Sequence, residues 1–292
     1  MIPAAQTFSP AAGVKFGYRA LPSTPDPSLP TLLLIHPFIT DGSFFAHQFE
    51  DPELGGQAGK KWNMITIDIH GHGDSTGRQE FTYWDTASDA ALLLDHLGIK
   101  KVTVVGTSQG GFVATRLAIH RPDLVENIIY TGSTLLPETK ESHAGITFLT
   151  TKFPYVEENF GVILQSGFGF DHTAADATEK QKAAGEKWSN VWRTRYGGSP
   201  EKEARAAGCV KQLLGRDDIV PRVNELKTKI HIMHGESDAI YSVAEHAEGS
   251  KKVLEEHDLL ASYQIVPGGA HYLSFEKWQE VNPRLIQIMT EA

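Results

Sequence analysis

Ser108 stands in Gly106-Thr107-Ser108-Gln109-Gly110-Gly111, where glycines on both sides leave room for a sharp turn. A serine hydroxyl is a poor nucleophile near neutral pH. It needs a base within hydrogen-bond reach, and the base needs an acid to orient it. His271, in Val266-Pro-Gly-Gly-Ala-His-Tyr272, is the candidate base. An imidazole titrates near neutrality, so it can take the serine proton and return it to a leaving group. Asp238, in His234-Gly-Glu-Ser-Asp238, is the candidate acid. A carboxylate there holds one tautomer of the base and stabilises its cation. Glu236 reads as a solvated loop residue, and Glu126 lies at the wrong end of its strand. The chemistry of such a trio is attack on a carbonyl through a covalent acyl intermediate. Gln109 would begin a helix, where partial positive charge gathers, so its backbone N–H is a candidate oxyanion donor.

These side chains can act together only if regular elements deliver them to one place. Val102 to Val105 is a β-branched run of strand length, and helical periodicity follows the turn through Phe112, Val113, Leu117 and Ala118. That is strand, turn, helix, with Ser108 at the apex in a strained backbone conformation. A chain with 27 glycines in 292 residues would contain only about 0.15 such GxSxG matches by chance. Apolar runs at Thr31–His36 and Trp62–Ile69 predict buried strands, as do Leu124–Tyr130, Ile230–His234 and Ser262–Val266. Helices are predicted over 82–97, 242–258 and 275–290, with Pro283 interrupting or restarting the last. The alternation implies an α/β fold with a mostly parallel sheet covered on both faces. The C-terminal ends of its strands then share one edge. His36-Pro37-Phe38 follows the first buried strand. Pro37 has no N–H, so Phe38 is the candidate second oxyanion donor, with His36 steadying the loop by hydrogen bonding.

From about Leu135 to Lys229 the strand-like runs stop and aromatics gather: Phe148, Phe153, Tyr155, Phe160, Phe168, Phe170, Trp188, Trp192 and Tyr196. The reading is a core in two parts, residues 1–134 and 230–292, with a helical cap at 135–229. Most cap aromatics are expected to pack. Trp188 and Trp192, with His36, Phe38 and either Phe44 or Phe45, are expected to wall an apolar substrate pocket.

Composition narrows the function classes. With 40% hydrophobic and 22% charged residues the chain is ordinary globular material. A formal net charge of −9 argues against nucleic acid and anionic membranes as partners. The single cysteine, Cys209, allows no intrachain disulfide. The N-terminus lacks a basic-then-apolar leader pattern, and no run reaches the roughly 18 apolar residues of a membrane span. A cytoplasmic location is expected. Asp68-Ile-His70-Gly-His72-Gly-Asp74-Ser75 resembles the HxHxDH zinc motif of metallo-β-lactamase-like hydrolases, but its sixth position is Ser75. A Gly-rich turn is the preferred reading, and neither metal nor cofactor is expected.

Taken together, Ile35-His-Pro-Phe38, Asp68 to Ser75, Gly106 to Gly111, His234 to Asp238 and Gly269-Ala-His271 resemble the cap-bearing α/β-hydrolase superfamily. The chain order Ser108, Asp238, His271 is that superfamily's order. The pieces look most like its enol-lactonase, carboxylesterase and cofactor-free haloperoxidase-like branches. The resemblance implies an eight-stranded, mostly parallel sheet. It also implies Ser108 as nucleophile, Asp238 as acid, His271 as base, and Phe38 with Gln109 as oxyanion donors. Pro37 departs from the pattern, where the usual loop has glycine after histidine. A serine at 108 argues against the haloalkane dehalogenase and epoxide hydrolase branches, whose nucleophile is aspartate. The expected substrate is a small apolar ester or lactone. C–C bond hydrolysis, acyl transfer and slow-turnover lactone sensing are the alternatives on the same fold. The oligomeric state is not legible, and a homodimer is compatible with the sequence.

Overall fold

A computed structural model describes residues 1–151 and 158–291. Its strands are β1 (Gln6–Phe8), β2 (Phe16–Leu21), β3 (Thr31–Ile35), β4 (Asn63–Ile67), β5 (Val102–Thr107), β6 (Val125–Thr131), β7 (Lys229–Gly235) and β8 (Leu260–Val266). Its helices are α1 (Ala46–Glu50), α2 (Tyr83–His96), α3 (Gln109–His120), α4 (Lys140–Thr151), α5 (Glu158–Phe168), α6 (Glu179–Tyr196), α7 (Pro200–Leu214), α8 (Glu248–Glu256), α9 (Leu273–Glu276) and α10 (Trp278–Glu291). The strands form one eight-stranded sheet in the order β1-β2-β4-β3-β5-β6-β7-β8. β1 and β2 are antiparallel at one edge, and every pairing from β4 to β8 is parallel.

Every residue of β3, β4 and β5 is buried, which explains why their sequences are continuous apolar runs rather than alternating ones. Successive side chains point to opposite faces of a strand. Leu33 and Ile35 therefore join a layer that includes Leu94 of α2 and Val113 of α3. Leu32 and Leu34 join the opposite layer, with Leu285 and Ile288 of α10 and Trp188 and Trp192 of α6.

Between β6 and β7 the described residues hold α4 to α7 and a 3-10 turn at Val220–Glu225, with no strand among them. Local signals set these helices. The Thr178 hydroxyl accepts from the Gln181 N–H in a capping box that starts α6. Ser199 caps α7, and Pro200 occupies its first turn, where a missing N–H is harmless. Phe153, Pro154 and Tyr155, and the side chains of Phe148 and Phe160, lie outside the described residues.

One expectation fails. The chain breaks at Lys277, between α9 and α10, and α10 runs straight through Pro283. The helix is held there from outside. Buried Asn282 bonds Gln48 of α1 at 2.8 Å and Asp51 at 2.8 Å, while Val281 and Leu285 are buried. That anchoring offsets the one backbone bond the proline removes. Among the described residues no helix is long and apolar enough to cross a membrane.

Candidate active site

β5 ends at Thr107, and Ser108 follows with φ 52° and ψ −120°. A non-glycine residue at such a φ is strained by about 1–3 kcal/mol, so the surroundings must hold it. The Ser108 N–H donates to the Thr131 carbonyl at 3.3 Å, and its carbonyl accepts from the Ser133 hydroxyl at 2.8 Å. The glycines are needed for a steric reason. A Cβ on Gly106 would run into the backbone of Gly110 and Gly111, and one on Gly110 into the Ile35 carbonyl. Gln109 opens α3, so its N–H has no acceptor within that helix.

Asp238 follows β7 and His271 follows β8. With strands about 4.8 Å apart, β5 and β8 are separated by about 14 Å, and the two loops must reach back to bring the side chains together. They do: His271 Nε2 lies 2.8 Å from Ser108 Oγ, and His271 Nδ1 lies 2.8 Å from Asp238 Oδ2. All three residues are buried. The other Asp238 oxygen accepts from the N–H groups of Ile240 at 2.9 Å and Tyr241 at 2.8 Å. Burial alone would raise the Asp238 carboxyl. The adjacent His271, its hydrogen bond, His234 and the Tyr241 N–H outweigh burial and bring it below the usual carboxylate value. A carboxylate so held stays ionised and keeps the imidazole Nδ1–H pointed at itself, which leaves Nε2 as the acceptor for the serine proton.

His234 was not anticipated as part of this arrangement. Buried at the end of β7, its Nε2 bonds the Tyr241 carbonyl at 2.7 Å and lies 3.3 Å from Asp238 Oδ2. The sequence signal was available: an imidazole four residues ahead of the acid at a strand end. Glu236 is exposed, and its Oε2 accepts from the Gly268 N–H at 2.9 Å. Glu126 is exposed on β6.

The loop after β3 carries Phe38. The Pro37 carbonyl accepts from the Thr40 hydroxyl at 2.8 Å and from His36 Nδ1 at 2.8 Å. A trans peptide is planar, so its C=O and the following N–H point in opposite directions. Anchoring the Pro37 carbonyl therefore orients the Phe38 N–H away from the anchor. His36 Nε2 accepts from the Ile69 N–H at 3.0 Å, which ties this loop to the one after β4. Both ring nitrogens of His36 are thus engaged, and the ring is fully buried.

Four expected substrate contacts are therefore corrected. His36 is a structural peg. Phe44 and Trp188 are fully buried in an aromatic cluster with Phe168, and Phe44 also meets Tyr272 with centroids 5.7 Å apart. Trp192 is fully buried and donates its indole N–H to the Ile39 carbonyl at 2.8 Å. None of the four lines the cavity above Ser108.

That cavity has a volume of about 60 Å³. Ser108 and His271 open into it, and its apolar wall is Phe38, Ile146, Ile163, Leu213, Ile240 and Tyr272. Tyr272 adjoins His271 in sequence and could have been inferred. Ile146, Ile163 and Leu213 come from α4, α5 and α7 and carry no distinguishing local signal.

His70, His72 and Asp74 turn to different partners. His70 Nε2 lies 2.8 Å from Asp89 Oδ2, His72 Nε2 lies 3.2 Å from the Gln109 amide, and Asp74 faces Arg195 at 3.6 Å. Among the described residues no group of three His, Cys, Asp or Glu side chains could hold a metal ion.

Burial pushes the His36 imidazole down to about 4, with Arg195 adding to the effect. Protonating Nε2 would also break its bond to Ile69. The unfolded value is about 6.5, so this contribution to stability is fully present above pH 6.5 and is lost as pH falls toward 4. The shift corresponds to about 3 kcal/mol at most. Urea titrations between pH 7 and pH 4 should show stability falling in that window, with a slope shallower by about one proton in His36→Gln. An unchanged slope would refute the assignment.

The residues from 30 to 277 match a family described as alpha/beta hydrolase fold. A non-heme haloperoxidase of Rhodococcus erythropolis is 27% identical over 242 residues, covering 78% of this chain and 82% of that protein. The sn-1-specific diacylglycerol lipase ABHD11 of Mus musculus is 33% identical over 95 residues, covering 32% of this chain and 31% of that one. The alignment thus spans about a third of the mouse relative's length. Among solved structures, an enol-lactonase from Burkholderia xenovorans LB400 superimposes with a TM-score of 0.71 at 18% identity, covering 98% of this chain and 100% of that one. At that identity the likeness is one of fold.

Proposed function

The chain belongs to the α/β-hydrolase family, and on that premise we propose that it is a serine hydrolase of small apolar carboxylic esters or lactones. The observation that carries this reading is the continuous relay from Asp238 through His271 to Ser108 Oγ, opening onto an apolar cavity. Ser108 attacks the carbonyl, and His271 takes its proton. The N–H groups of Phe38 and Gln109 hold the oxyanion. His271 then protonates the leaving alkoxide, and water deacylates the enzyme. Residues 135–229 act as a cap, supplying Ile146, Ile163 and Leu213 to the acyl pocket.

The cavity supports a small acyl group. At about 60 Å³ it is well short of the roughly 150 Å³ that accommodates benzene in an apolar core. Stopped-flow and steady-state assays with p-nitrophenyl esters test both points. The expected result is a burst followed by turnover on the acetate, with kcat/KM at least ~10-fold lower on the octanoate. A stoichiometric burst with no turnover would replace hydrolysis with slow sensing of the ligand. A preference for octanoate would overturn the small-acyl assignment.

A further inference from the structure

Resting on the hydrolase reading, we infer that α6 belongs to the catalytic scaffold: Trp192 and Arg195 clamp the loop that carries Phe38 and so hold one half of the oxyanion hole in register.

The clamp is needed because the loop is not at rest. Ile39 has φ 54° and is fully buried. A β-branched side chain is poorly tolerated in that left-handed region, so the turn must be held by its neighbours. The indole N–H of Trp192 donates to the Ile39 carbonyl at 2.8 Å, in a bond buried between α6 and the loop. One helical turn further on, Arg195 lies 3.3 Å from the Asp41 carboxylate, just after the strained residue. The same guanidinium bonds the Gly73 carbonyl in the loop after β4. Arg195 therefore ties two core loops to one insertion helix. On the other side, the Tyr272 hydroxyl donates to the Phe38 carbonyl at 3.0 Å, which links the loop to the residue beside His271. The peptide that presents the Phe38 N–H is thus bracketed. His36 and Thr40 hold its own carbonyl, Tyr272 holds the next, and Trp192 the one after.

Trp192 and Arg195 touch no reacting atom. They are positioning residues, and their loss should be felt where the oxyanion forms rather than where substrate binds. Loss of one oxyanion donor typically lowers kcat by about 10²–10³-fold, so misplacing one should produce a smaller loss of the same kind.

The test uses Trp192→Phe, which keeps a buried aromatic ring while removing the indole N–H and part of the ring's volume, with Arg195→Leu and Arg195→Lys beside it. Active serine is titrated with a fluorophosphonate so that rates are per competent site. Two substrates are compared, p-nitrophenyl acetate and its thionoester, because sulfur accepts hydrogen bonds poorly and depends less on an aligned hole. In Trp192→Phe, kcat on the ester should fall ~10- to 100-fold with KM within about twofold, and the ester-to-thionoester ratio should shrink. Arg195→Leu should follow the same pattern, with Arg195→Lys in between. Amide hydrogen exchange across residues 39–42 reads the clamp with no substrate present, and should quicken in Trp192→Phe. Equal losses on ester and thionoester, or wild-type kcat in Trp192→Phe, would overturn the catalytic role. Unchanged exchange would overturn the clamp itself. Failure of the wild type to label at Ser108 would overturn the hydrolase reading and the catalytic half of the inference together.

Discussion

Ser108→Ala is expected to lower kcat on p-nitrophenyl acetate by about 10⁶-fold, the loss typical of removing a triad nucleophile, and to leave the fold intact. Both halves follow from the elbow. Of the hydroxyls lining the cavity, that of Ser108 is the one bonded to His271 Nε2, at 2.8 Å, so it is the one the base can deprotonate. The contacts that hold residue 108 at φ 52° are backbone ones, from its N–H to Thr131 and from Ser133 to its carbonyl. Alanine retains both and has the same Cβ, so the strain of the turn is unchanged. Circular dichroism melts and single-turnover kinetics check the two halves separately. Retention of more than a few per cent of wild-type activity would remove Ser108 from the role of nucleophile.

Asp238→Asn should cost about 10⁴-fold in kcat with KM little altered, as expected when an orienting carboxylate is neutralised without changing its shape. The substitution removes the charge beside His271 and presents either an N–H or a carbonyl to an imidazole that needs a single acceptor. It also disturbs the Ile240 and Tyr241 N–H bonds to the same side chain, so a modest loss of thermal stability should accompany it. Glu236→Gln is the matched control. Glu236 is exposed, and glutamine keeps an oxygen for the Gly268 N–H, so the rate should stay within about twofold of wild type. Should Glu236→Gln be the crippling change, or Asp238→Asn nearly silent, the acid has been misassigned.

The two substitutions also mark where sequence reasoning reached. Glu236 and Asp238 share one short loop, and choosing between them rested on distance from the strand end. In the structure the same choice follows from direction. Asp238 turns inward to His271 and His234, whereas Glu236 turns outward to the 266–269 turn.

What the sequence alone determined is local or ordinal. The elbow at Ser108 is legible because its sequence pattern, a strand, a glycine-flanked serine and a helical period, falls within one short stretch. Gly106 and Gly110 are required by contacts to Gly111 and to the adjacent strand β3. The alternation of apolar runs and helical periods carried the parallel sheet. Strand ends that share an edge carried the gathering of positions 108, 238 and 271. Side-chain direction was decided only by tertiary structure. Trp192 and Phe44 are large, apolar residues in segments expected to border the site, and nothing in their neighbours shows whether they face a cavity or a core. Long-range packing turned both away, one onto the Ile39 carbonyl and the other into a cluster with Phe168 and Trp188. The wall of the cavity above Ser108 went instead to Ile146, Ile163 and Leu213, on helices whose placement depends on contacts far away in sequence. Pro283 shows the same rule in the backbone. Its local preference is to break a helix, but the buried bonds of Asn282 and the apolar face beside it outweigh one missing N–H.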